Sequence, residues 1–130
     1  MVWVKAFIAG FLATVVFHQG AVALLWLAGL IGGAPWNMTA VPPFAIPKVI
    51  SLAFWGGVWG LPVWWLIRRW NGSTQWLAAL LVGAAGPTAV AVLLVFPLKG
   101  MAVSNNIILI GLIVNAAWGV GVSFFMRWLR

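Results

Sequence analysis

The sequence predicts an all-α integral membrane protein, a four-helix bundle with both termini on the cytoplasmic side. Three observations carry this. Charged residues are 5% of the chain and acidic residues are absent, whereas a soluble domain keeps both signs at about a quarter of its residues. Apolar residues are 65%. The seven basic residues also stand at the ends of long apolar runs. A spanning helix needs about 20 apolar residues, and runs at 6–31, 48–67, 74–96 and 105–127 meet that need. The 130 residues then form one transmembrane domain, 1–130. Transmembrane strands alternate in polarity, and these runs do not.

The first span opens with Lys5 and an apolar run too long for an ordinary signal-peptide core, so it is expected to be retained. Gly10, Thr14 and His18 follow at four-residue spacing and share a helical face, with Gln19 beside them. The second span offers Leu52, Gly56 and Gly60 at the same spacing, and the fourth offers Gly111, Asn115 and Gly119. Small residues so spaced let backbones approach, which supplies the attraction that lipid cannot. The third span has Ala79, Gly83 and Pro87 on one stripe. Pro87 lacks an N–H and crowds the carbonyl of Gly83, so a kink is expected, with that carbonyl open to Thr, Asn or water.

The connections differ. Asn71-Gly72 makes a tight turn in which Gly72 takes a left-handed conformation, and Ser73 or Thr74 caps the third span. Residues 32–47 hold Pro42, Pro43 and Pro47, which favour extended chain on the outer surface, with Trp36 and Phe44 dipping toward lipid. That segment is a plain connector or a docking surface. Lys and Arg favour the cytoplasmic ends of spans. With the N-terminus inside, Lys5, Arg68, Arg69, Arg127 and Arg130 lie there, against Lys48 and Lys99 outside. Trp3, Trp70, Trp76 and Trp128 fall at the cytoplasmic ends and Trp36 in the outer loop, as interfacial anchors do.

An internal repeat is faint. One shift lays Trp59-Gly60 on Trp118-Gly119, Val63 on Val122 and Arg68 on Arg127, so the second and fourth spans share W-G-x-x-V-x-x-x-x-R. The first and third spans do not align at that shift.

His18 is the only histidine. It is expected as a hydrogen-bonded packing residue, with Asn115 the first-choice partner and Thr14 or a carbonyl behind it. Two other readings stand beside this one: a contact to another subunit, and an axial ligand to a haem or pigment, for which no second histidine exists. Carboxylate acid–base chemistry, a Ser-His-Asp triad and ion coupling through an intramembrane carboxylate are all excluded by composition. One imidazole with no thiolate or carboxylate is an incomplete metal site. No cofactor is expected. The net charge of +7 comes from single residues and one pair, not a basic stripe, so the expected partners are anionic lipid headgroups and not nucleic acid.

The runs FHQG at 17–20, PPFAIP at 42–47 and SLAFWGGVWG at 51–60 together resemble a group of small four-helix membrane proteins of alphaproteobacteria without an assigned function. The resemblance covers about the first half of the chain. It implies a bacterial inner-membrane setting and carries no site residues. The expected function is non-enzymatic: an accessory or stabilising subunit of a larger membrane complex, an energy-transducing one being favoured. A small self-assembling transporter or channel is the alternative, and a haem- or pigment-binding subunit through His18 the third reading.

Overall fold

The computed structural model describes residues 1–42 and 44–129. Four long apolar helices dominate it: α1 Val2–Leu27, α2 Lys48–Ile67, α3 Gly72–Leu98 and α4 Asn105–Trp128. Each is long and apolar enough to cross a membrane, which fits a multi-pass membrane protein. Relative to expectation, α1 begins and ends earlier and α3 runs further at both ends. Two helices are interrupted by a π-helical turn, Thr14–His18 in α1 and Ala91–Val95 in α3.

The helices run antiparallel in sequence. One end of the bundle, the turn end, holds Met1, the 68–71 connection and Leu129. The other, the loop end, holds residues 28–47 and 99–104. At the turn end Gly72 has φ +58°, as the tight turn requires. The capping expectation is corrected: Ser73 and Thr74 lie within α3, and Asn71 stands at the cap position with no side-chain bond. Ser104 caps α4 instead, its Oγ accepting from the Ile107 N–H at 3.2 Å.

The 32–47 segment is also corrected. It folds back as a two-stranded antiparallel ladder, β1 Ala40–Val41 against β2 Ile46–Pro47, with Ala40 opposite Pro47. Ala45 in the turn has φ +57° and Phe44 is exposed. Pro43 lies outside the described residues.

Packing explains the small residues. The α1–α2 and α3–α4 pairs are the closest. In the first pair, a Cβ at Gly60 would strike the Ala6 carbonyl and come within 3.2 Å of the Gly10 Cα. In the second, a Cβ at Gly119 would strike the Ala79 carbonyl and come within 3.0 Å of the Gly83 Cα. The two pairs are therefore built alike. Trp3, Ala6 and Gly10 correspond to Trp76, Ala79 and Gly83, giving W-x-x-A-x-x-x-G in α1 and α3. Their shift differs from that of α2 onto α4 because the connection within the first pair is the longer one. Arg68 lies over Trp3 and Arg127 over Trp76, so the correspondence extends to the turn end.

The pairs meet along two seams. The α1–α4 seam is broad and the α2–α3 seam narrow. At the first, Trp118 is buried and Phe17 fills the space left by Gly121, stacking edge-on to Phe125. At the second, Trp59 holds the place of Trp118 and rests 3.4 Å from where a Gly86 Cβ would be. Ala6, Ala9, Ala13, Val63, Ile67, Ala79 and Val122 close the centre.

Candidate functional site

Three polar centres interrupt this apolar interior. The first is the π-turn of α1. Thr14 begins it and donates its hydroxyl back to the Gly10 carbonyl at 3.0 Å. A π-turn adds one residue to the turn and so rotates everything beyond it by about 100°. His18 is thereby carried off the face of Gly10 and Thr14, and the buried Gln19 takes the inward position. The predicted His18–Asn115 pair is not formed. His18 Nδ1 instead meets Gln19 Nε2 at 3.1 Å.

Gln19 is buried and joins helix to loop. Its Oε1 accepts the Trp36 backbone N–H at 2.8 Å. The Trp36 indole N–H donates to the Val15 carbonyl within the π-turn at 2.7 Å. Trp36 was expected to dip into lipid as an interfacial anchor. It is half-exposed, but its N–H is spent inside the fold, and its φ of +50° marks a backbone held by those two bonds. The loop is fastened further on, with the Val49 N–H donating to the Asn37 carbonyl at 2.9 Å.

The network also assigns the imidazole. Because Gln19 Oε1 accepts from Trp36, its amide nitrogen faces His18, so Nδ1 accepts and the ring proton sits on Nε2. A metal-ligating imidazole usually donates from one ring nitrogen to an acceptor and binds metal through the other. Here the Nδ1 neighbour is a donor, which disfavours ligation through Nε2.

The second centre lies between α3 and α4. Asn115 Nδ2 donates to the buried Thr88 Oγ1 at 2.8 Å. Gly111 makes room for Thr88, whose methyl would be 3.3 Å from a Cβ there. Pro87 precedes Thr88, and the helix stays α-helical to Val90 before its π-turn. Gly83 packs on the Asn115 carbonyl and Gly119. In the first pair Gly56 stands where Asn115 does in the second, and it packs against Thr14. Leu52 faces outward and does not join that contact.

The third centre, at the turn end, was not anticipated. Gln75 is 3% exposed. Its amide donates to the Trp70 carbonyl at 3.0 Å and the Ile67 carbonyl at 3.4 Å. Its Oε1 accepts from Arg127 at 2.9 Å and from Ser123 at 3.4 Å. Arg127 also reaches the Gly72 carbonyl and stacks 4.8 Å over Trp76. Part of the signal was present: Ser123 and Arg127 lie four apart on one helical face, whereas Gln75 follows Ser73 and Thr74 in the polar first turn of α3 and does not stand out. Trp118 was likewise missed as a polar group, yet its indole donates to the Gly10 carbonyl at 3.0 Å.

Of the other expected anchors, Trp3 and Trp70 lie under Arg68 and Arg69, and Trp128 is exposed beside Phe125. Among the described residues no cluster of three His, Cys, Asp or Glu could hold a metal ion. The chain matches no protein-family model, no curated protein and no solved structure.

Proposed function

We propose that this chain crosses a bacterial inner membrane four times, both termini cytoplasmic, and serves as a non-enzymatic accessory subunit that stabilises a larger membrane complex. An energy-transducing complex is the favoured host. The observation behind this reading is the inside-out distribution of reactive and packing groups. The interior is closed by Gly and Ala contacts, and most of its polar side chains are bonded to one another. The outward faces carry large apolar side chains, with Leu24, Leu27, Leu93 and Leu98 each more than 70% exposed. Such a molecule offers surface to lipid and to neighbouring helices. Among the described residues the buried polar side chains fall into three separate centres, so a channel would form between copies.

The test is purification at native expression in a mild detergent. Co-migration with a larger complex supports the proposal. A pure homo-oligomer that makes vesicles permeable to ions or small solutes would replace it with the transporter reading. A visible absorption band lost in His18→Leu would replace it with the pigment reading. Reporter fusions after Arg69 and after Arg130 should both read cytoplasmic, and a periplasmic reading at either would overturn the orientation.

A further inference from the structure

The turn end concentrates positive charge in a chain with no acidic side chain to neutralise it. Each of its described arginines lies over an indole: Arg68 over Trp3 at 5.4 Å, Arg69 over Trp65 at 5.6 Å, and Arg127 over Trp76 at 4.8 Å. Stacking holds a guanidinium in a fixed plane and leaves its edge free to bind.

Arg127 stands apart from the other two. It is part-buried, and one terminal nitrogen is tied to Gln75 Oε1 and the Gly72 carbonyl. Both acceptors are uncharged. Its Nε is buried without a partner among the described residues. A guanidinium has five N–H donors, and a partly desolvated cation without a counter-charge is costly. The group is oriented and under-satisfied, and it lies where the chain meets the membrane surface.

We propose that Arg127, held in place by the Trp76 ring, the Gln75 amide oxygen and the Gly72 carbonyl, donates to the phosphate of an anionic phospholipid, phosphatidylglycerol being the simplest. This rests on the membrane setting proposed above. A phosphate diester matches the planar edge of arginine and supplies the missing negative charge. The cytoplasmic leaflet is rich in anionic headgroups. A zwitterionic lipid fits less well. Its ammonium would find no acidic side chain, since the chain has none, and would meet Arg68, Arg69 and Lys5 instead. The indoles of Trp3, Trp65 and Trp76 are already covered by arginine and offer no open face to a quaternary ammonium.

The experiment is native mass spectrometry of the intact protein in detergent, with phosphatidylglycerol or phosphatidylcholine added. Phosphatidylglycerol should bind about tenfold more tightly. Arg127→Gln should remove that preference, and Arg69→Gln, which alters an exposed stack, should leave most of it. Equal binding of the two lipids overturns the proposal. So does an equal loss from Arg69→Gln, which would mean diffuse charge and no dedicated site. If Arg127→Gln does not fold, Arg127→Lys keeps the charge and loses the planar edge. It should then bind phosphatidylglycerol several-fold more weakly, and unchanged binding would exclude the site. Displacement of phosphatidylglycerol by inorganic phosphate would assign the site to free phosphate and reject the lipid. Extraction of the protein from membranes by alkaline carbonate would refute the membrane setting itself, whereas a protein that stays in the membrane with no lipid preference refutes only this inference.

Discussion

The α1–α2 pair and the α3–α4 pair share a packing plan and differ at both ends. In each, an Ala and a Gly on the first helix receive a Gly from the second, and an Arg closes the pair over a Trp on the first helix. At the turn end, only the second pair adds Gln75 and Ser123 around its arginine. The first has Val2 and Trp64 at the corresponding places, and the Trp64 indole N–H is buried without a partner among the described residues. At the loop end the situation reverses. The first pair has a long connection clipped to its π-turn by Trp36 and Gln19. The second has a short one and a π-turn with no buried residue. The shared contacts are what pair formation needs. The differences are where the two pairs have become specialised.

The largest effects should come from the shared contacts. Gly60→Leu and Gly119→Leu each drive a side chain into facing backbone, and overpacking costs about 1–3 kcal/mol. Both should lower the melting temperature in detergent by similar amounts. Gly33→Leu should not, because nothing lies within 4 Å of its Cβ position. Loss at only one of the two helix positions would break the equivalence of the pairs.

The seams between pairs come next. Trp118→Phe removes the donor to the Gly10 carbonyl and should cost about 1 kcal/mol. Trp59→Phe trims the far ring edge near Gly86, as Trp118→Phe trims its own ring, but its indole has no hydrogen bond among the described residues to lose. Thermal unfolding should separate the two variants, and matched losses would show that the hydrogen bond adds nothing to the α1–α4 seam. A smaller loss, about 0.6 kcal/mol, is expected for Asn115→Leu, which strands Thr88. If the chain melts at an unchanged temperature, the Thr88 contact is only incidental.

The loop end should show the smallest effect on stability and the clearest local one. Trp36→Phe frees the Val15 carbonyl and one anchor of the 28–47 connection. Amide exchange over residues 36–41 should quicken while the melting temperature hardly moves. His18→Leu removes the imidazole acceptor from Gln19 and should loosen the same segment, with His18→Gln restoring most of it. Exchange confined to residues 99–104 in these variants would mean that the clip holds the other loop.

Much of the architecture was legible because it follows from composition. Continuous apolar runs set the four helices, with α2 bounded as expected, and small residues at four-residue spacing marked the helix pairs. The repeat was half legible. Its α2–α4 register stood out through Trp59-Gly60 and Trp118-Gly119, while the α1–α3 register was hidden by the unequal connections. The His18 partner was not legible, because face arithmetic assumes an unbroken α-helix and the π-turn at Thr14–His18 moves it to another face. Trp36 misled for a related reason. An indole in a loop suggests an interface, and nothing local tells that its N–H reaches back to a carbonyl of α1. The Gln75–Ser123–Arg127 centre joins residues far apart in sequence, and only the three-dimensional pairing shows them together.

The bond from Trp118 to Gly10 joins α4 to α1, which is synthesised well before it. A ribosome releases α1 and α2 well before α4 exists, so the α1 face that will receive Trp118 must wait without its partner. That face is built from Ala6, Ala9, Gly10 and Ala13, which present little surface and no free side-chain donor. The Gly10 carbonyl is already engaged by the Thr14 backbone N–H and hydroxyl. The early hairpin therefore offers little attraction to a wrong neighbour, and the closing tryptophan arrives after it, sealing a seam that shorter nascent chains lack.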